Sequence, residues 1–168
     1  MKAILFTHSH DDHTGGSRAF PGAALYALNP HRRDGAGQSA WNRIQGGRAG
    51  TESGAGGRRE LRLLEDGEVL DLHGDRIEVF GIPGHTYDSC AYLAFGGLFM
   101  GDSAAGTFNG RMGSAPPFVS VDRKMNQAGL KRLAARLGGR GGEVRYLAFG
   151  HQGPIPGLGP LLEWSASH

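Results

Sequence analysis

Thr7-His8-Ser9-His10-Asp11-Asp12-His13-Thr14-Gly15-Gly16 follows directly on the apolar run Ala3-Ile4-Leu5-Phe6, and the pairing of the two decides how the chain is read. A short continuous apolar run reads as a buried strand with neighbours on both sides. Here such a strand ends in His8, His10, Asp11, Asp12 and His13. Strand ends are where rigid scaffolds present reactive side chains. His8 and His10 lie two apart in extended backbone, so they point the same way and can grip one ion. Asp12 and His13, beyond the bend, face elsewhere and can grip a second. Without ions the cluster would carry desolvation and like-charge costs with nothing to offset them.

Downstream, Thr14-Gly15-Gly16 marks a turn, and Ser17 can cap a short helix through Phe20 that Pro21-Gly22 stops. Ala24-Leu25-Tyr26-Ala27-Leu28 reads as the next strand. Residues 29–60 are rich in Gly, Arg, Ser and Asn and read as a loop, a partly helical flap or an insertion. Strands follow over 61–64, 68–72 and 76–80, with hairpin signals at Asp66-Gly67 and His73-Gly74-Asp75. Ala91–Phe95 and Leu98–Met100 form another hairpin around Gly96-Gly97. Met125, Leu130, Leu133, Ala134 and Leu137 predict an amphipathic helix over 122–137, capped by Asp122 and ended by Gly138-Gly139. A strand over 144–149 and a short helix over 158–164 complete an α/β layered domain that takes in residues 1–168.

Three further candidate ligands also follow apolar strands: His85 after Pro83-Gly84, Asp102 after Leu98-Phe99-Met100-Gly101, and His151 after Phe149-Gly150. Imidazole and carboxylate are the donors that zinc, iron and manganese accept. An Asp between two cations roughly 3.5–4 Å apart can bridge them, and such a pair acidifies a shared water and clamps an incoming oxygen. His31, His73 and His168 read as ordinary solvated histidines.

The run 7–16, with Gly84-His85-Thr86, Gly101-Asp102-Ser103 and Gly150-His151 in this order, resembles the H-x-H-x-D-H signature and later motifs of the metallo-β-lactamase superfamily. The resemblance runs over essentially the whole chain. It implies an α/β fold of the αββα metallo-β-lactamase-type sandwich, with metals at one edge of two sheets. It implies that His8, His10 and His85 hold a first metal, that Asp12, His13 and His151 hold a second, and that Asp102 bridges. Asp11 falls at the variable position. Two divalent ions are expected, zinc first, with iron or manganese as alternatives. The implied activity is metal-dependent hydrolysis, in which a metal-bound hydroxide attacks a thioester, lactone or other ester. Asp12 and Asp102 are the catalytic carboxylates, and Tyr87 is a candidate to donate a hydrogen bond to the oxyanion.

Asp102 narrows the resemblance, because true β-lactamases generally lack the bridging Asp whereas glyoxalase II, lactonases and phosphodiester-cleaving members have it. Phosphodiester or RNA cleavage is therefore one alternative. Another is a mononuclear iron dioxygenase of the persulfide dioxygenase type, with His8, His85 and Asp102 as a two-His-one-carboxylate triad. A third is a catalytically impaired metal-binding fold. Family members normally carry further strands ahead of the signature, so the sandwich is expected to be N-terminally truncated. The exposed N-terminal edge is then a surface for homo-oligomerisation. The glutathione-binding helical domain of glyoxalase II has no counterpart after His151, which counts against a glutathione thioester.

Composition limits the partners. The chain has 168 residues, a net charge of +2 and 20% charged residues, so no global field calls for nucleic acid or a membrane surface. Hydrophobic residues make up 39%, a low value to which the 30 Gly contribute. Arg32, Arg33, Arg43, Arg48, Arg58 and Arg59 in the 29–60 segment read first as a solvated face, and second as a flap that draws an anionic substrate. Nucleic acid is not the expected partner; a small-molecule substrate is. The single cysteine, Cys90, reads as a buried thiol that forms no intrachain disulfide. No apolar run approaches a membrane span and no signal peptide opens the chain, so a cytoplasmic location is expected.

Overall fold

The computed structural model describes residues 1–30, 41 and 60–168. Of the expected flap over 29–60, only Asn29, Pro30, Trp41 and Glu60 fall among these, so that reading and its arginines lie outside the described residues.

Strands β1 (Ala3–Phe6), β2 (Ala24–Leu28) and β3 (Leu61–Leu64) form one parallel sheet in the order β1-β2-β3. Strands β4 (Val69–Leu72), β5 (Asp75–Gly81), β6 (Cys90–Ala94) and β7 (Gly97–Phe99) make an antiparallel meander. A short hairpin of β8 (Ala104–Gly106) and β9 (Met112–Ser114) follows. Then β10 (Tyr146–Ala148) joins β7 in parallel and β11 (Ile155–Pro156) closes the second sheet, whose order is β11-β10-β7-β6-β5-β4.

Alternation along the strands sorts side chains into layers. Val79, Tyr92 and Ala94 of the second sheet pack with Leu28 and Leu64 of the first, filling the space between the sheets. Their neighbours Phe80, Ala91, Leu93 and Leu98 point the opposite way. There they meet Leu130, Leu133 and Leu137 of α2 (Arg123–Leu137), and Leu161 and Trp164 of α3 (Gly159–Ser167). Each fully buried Leu in these layers contributes about 1.5–3 kcal/mol. On the outer face of the first sheet, Phe6, Leu25 and Leu61 pack on Trp41. Sheet on sheet with α2 and α3 outside makes three layers of the αββα sandwich that the resemblance implies; among the described residues Trp41 stands in the layer outside the first sheet. Among the described residues, no helix is long and apolar enough to cross a membrane.

Several local expectations are corrected. The first strand is not buried between two neighbours: among the described residues β1 pairs only with β2, and Ala3–Leu5 are half-buried. Helix α1 (Asp11–Thr14) begins inside the histidine run and continues as a 3-10 turn over Gly15–Ala19, so neither the turn at 14–16 nor a helix capped at Ser17 is present. The cause is the His10 carbonyl, which accepts from the backbone N–H of His13 and Thr14 and from the Thr14 hydroxyl. Asp66-Gly67 is a crossing between sheets rather than a hairpin, since β3 pairs with β2. The Asp66 carboxylate holds that crossing by accepting from the Gly81 N–H and Arg136. The β6–β7 turn falls at Phe95-Gly96, one residue early, where both residues take the positive φ of a two-residue hairpin. His73-Gly74 does the same between β4 and β5.

Candidate metal centre

Each candidate ligand is set by an identifiable local device. At the end of β1, Tyr92 Oη donates to the Phe6 carbonyl (2.8 Å) and the Cys90 N–H donates to the Thr7 carbonyl (2.8 Å), tying the strand end to the second sheet. His8 leaves that tether buried, with Thr7 Oγ1 3.2 Å from its Nδ1. Its Nε2 has no hydrogen-bond partner. The helical turn of α1 swings Asp12 and His13 round toward the same space.

His85 sits in a turn after β5, beside Gly84, whose φ is +138°. A side chain at 84 would overlap the Asn126 backbone at the start of α2 and the Asp122 carbonyl. Gly84 therefore supplies both a conformation and a close approach. Asp102 lies in a 3-10 turn over Gly101–Ser103 that follows β7. His151 follows β10, and the Gly150 N–H donates to the Gly101 carbonyl (3.0 Å), bringing the Asp102 and His151 segments together.

The seven candidate ligands converge. His10 Nδ1 lies 3.0 Å from His85 Nε2, and His8 stands at ring-centroid distances of 4.8 Å from both. His13 Nε2 and His151 Nε2 are 3.3 Å apart. Asp12 Oδ2 is 3.5 Å from the first of these and 3.2 Å from the second. The Asp102 carboxylate reaches both halves, at 3.6 Å from His85 Nε2, 3.4 Å from His13 Nε2 and 3.2 Å from His151 Nε2. Three donor groups result, each able to hold an ion: His8-His10-His85, Asp12-His13-His151, and a central His8-His13-Asp102. The two halves are thus closer than the sequence suggests, with the His8 and His13 ring centroids 4.2 Å apart.

Electrostatics keeps the inner imidazoles neutral. Burial, then the neighbouring histidines, lowers the His8 pKa to about 2. Burial, then His10, lowers that of His85 to about 4, although Asp102 pulls the other way. Neutral rings offer lone pairs, as cation ligands must. A buried His8 nitrogen without a partner and imidazole nitrogens aimed at shared points are what a site for divalent metal requires. His151 and Asp12 are the exposed members, so the centre opens to solvent on their side.

Tyr87 is half-buried, two residues past His85. Asp11 is exposed on α1, as expected of the variable position. Cys90 is fully buried, and burial pushes its thiol up to about 12.

Sequence reasoning missed three supporting residues. Asp88 is buried and accepts from Ser9 Oγ (3.1 Å), linking the His8–His10 segment to the His85 turn, and burial raises its pKa. Asn126 is fully buried in α2, donates to the Ser103 carbonyl (2.9 Å) and accepts from the Ala115 N–H (3.1 Å). Its signal was available, as a polar residue within the buried stripe of an amphipathic helix. Ser120 Oγ lies 3.5 Å from His85 Nδ1 and carried no sequence signal.

Residues 1–151 match the family model of the Metallo-beta-lactamase superfamily. Among curated proteins, the chain is 34% identical over 141 residues to a hydroxyacylglutathione hydrolase of Aeromonas hydrophila, covering 80% of this chain and 43% of that protein. It is 35% identical over 139 residues to one of Gloeobacter violaceus, covering 79% and 44%. The chain therefore spans less than half the length of these curated relatives. Among solved structures, a metallo-beta-lactamase superfamily protein of Sulfolobus tokodaii superposes with a TM-score of 0.67 at 24% identity, covering 99% of this chain and 67% of that one. A metallo-beta-lactamase family protein of Thermus thermophilus gives 0.62 at 25%, covering 100% and 60%.

Proposed function

The chain belongs to the metallo-β-lactamase superfamily, and on that premise we propose that it is a metal-dependent hydrolase of carbonyl substrates: thioesters, lactones or other esters. The observation that carries the proposal is the convergence of His8, His10, His85, Asp12, His13, His151 and Asp102 into overlapping donor groups at one end of the sheets. His8, His10 and His85 would hold one divalent cation; Asp12, His13 and His151 would hold the other. Asp102 would span the two, and zinc is the ion this donor set suits best. When bound, such a pair acidifies a water and stabilises an oxyanion.

The protein's own groups do the rest. Neutral His8 and His85 present lone pairs at working pH. Asp102, within 4.0 Å of imidazoles from both halves, would set their separation. Asp12, exposed beside His151, would accept a hydrogen from the attacking water and orient it. Tyr87 would donate its phenol to the developing oxyanion. No side-chain nucleophile is called for. The Cys90 thiol is fully buried and donates to the Phe6 carbonyl (3.6 Å), and Ser120 beside His85 donates its hydroxyl hydrogen to the Pro116 carbonyl (2.6 Å).

The test is turnover by the zinc-loaded chain of an acyl-glutathione thioester, a simple lactone and an aryl ester, with an aryl phosphodiester alongside. Hydrolysis of at least one carbonyl substrate, abolished by Asp102→Ala, is expected. Cleavage of the phosphodiester alone, or unchanged hydrolysis in Asp102→Ala, overturns the reading.

A further inference from the structure

An open cavity of about 630 Å³ shares His151 with the metal centre as part of its wall. The rest of its lining includes Gly106, Phe108, Pro154, Ile155 and Pro156, and among the described residues lining it none is Lys, Arg, Asp or Glu. Its floor is tight: a side chain atom added at Gly106 would sit 3.1 Å from the Phe149 ring and 3.3 Å from Ile155.

Phe108 is fully exposed, and its position is built rather than incidental. It tops the turn between β8 and β9, where Thr107 N donates to the Arg111 carbonyl (2.8 Å), as does Thr107 Oγ1 (2.8 Å), and Gly110 N donates to the Thr107 carbonyl (3.1 Å). These bonds hold the turn, and the exposed Phe108 ring stands at the cavity wall. Arg111, the nearest cation in sequence, lines a different cavity with Trp164 and His168. Phe118 is also exposed, in the segment whose Ser120 Oγ lies 3.5 Å from His85 Nδ1. Large apolar side chains held out beside a reactive centre mark a ligand surface rather than a solvated loop.

We infer that the cavity beside His151 takes the uncharged, apolar acyl chain of the substrate, with Phe108 as one of its walls. The inference rests on the hydrolase reading for its description of the occupant as an acyl group. A substrate bearing charge on this flank would meet no Lys, Arg, Asp or Glu among the described lining residues, only the polar side chains of Thr107, Gln152 and His151.

The experiment titrates the zinc-loaded protein calorimetrically with acetate, hexanoate and glutarate, which stand in for acyl products. Hexanoate should bind at least about tenfold tighter than acetate, because each buried methylene adds to affinity, and glutarate should bind no tighter than acetate. Phe108→Ser should reduce the hexanoate preference to less than about threefold, and Phe108→Leu should keep most of it. Phe108 is exposed, so neither change removes core packing. Equal affinities, tightest binding of glutarate, or no detectable binding in the series overturns the inference. A chain-length preference without turnover of any ester supports the pocket and overturns the hydrolase reading. Ester turnover with a flat binding series overturns the pocket alone.

Discussion

Nδ1 of His10 and Nε2 of His85 lie 3.0 Å apart, although the residues are 75 positions apart in sequence. A hydrogen bond between them requires one of these nitrogens to carry the proton and the other to present its lone pair, whereas a shared cation satisfies both lone pairs together with His8. Replacing one partner therefore removes more than a hydrogen bond. His85→Ala should empty the His8-His10-His85 site, lowering bound metal and cutting kcat/KM by at least about 100-fold. Elemental analysis beside steady-state kinetics checks this. Full metal content in the variant would show that the pair is structural.

Gly150 backs onto the site so closely that a side chain there would overlap the Asp102 carboxylate and the His13 ring. Both neighbours must move to admit even a methyl group. Gly150→Ala should cost about 1–3 kcal/mol of strain and weaken metal binding. Gly150 is itself exposed, so the loss should appear chiefly in metal affinity and rate, with the fold retained. A metal titration and a thermal melt on the same sample separate the two effects.

Acid should unfold the metal-free protein through His8 and His85. Their folded-state pKa values are lowered to about 2 and about 4, against 6.5 for an unperturbed histidine. Between those values the unfolded chain binds more protons, so stability is intact above about pH 6.5 and declines as pH falls below it. Denaturant midpoints of the metal-free protein, measured from pH 7.5 to 4.5, should hold level to about pH 6.5 and drop below it. His8→Gln should flatten the decline, and an unchanged slope in that variant would contradict the assignment.

Asn126 joins α2 to the loop carrying Asp102 through the Ser103 carbonyl and the Ala115 N–H. Asn126→Ala strands both groups in a buried setting, at about 1–3 kcal/mol each. The melting temperature should fall by several degrees, on the order of 2–4 °C per kcal/mol for a chain of this size. A shift smaller than about 1 °C would mean that water or a rearranged loop takes over both bonds.

The residues of the candidate site were more legible than the scaffold around them. His85, Asp102 and His151 could be picked out because each ends an apolar strand, and the residues flanking them carry the turn. Pairing was harder to read. Asp66-Gly67 looks the same in a hairpin as in a crossing between sheets; what separates them is that β3 runs parallel to β2, a long-range fact. The start of α1 at Asp11 was hidden because its stabilising bonds converge on the His10 carbonyl, a backbone group that composition does not mark. Asp88 escaped notice for a similar reason, since its partner Ser9 lies 79 positions away.

The metal content of the purified chain tests the central claim most directly. The account predicts about two divalent ions per chain, zinc foremost, with the number reduced and hydrolysis abolished in Asp102→Ala. A single iron per chain accompanied by oxygen uptake, or two ions and undiminished hydrolysis in Asp102→Ala, would contradict it.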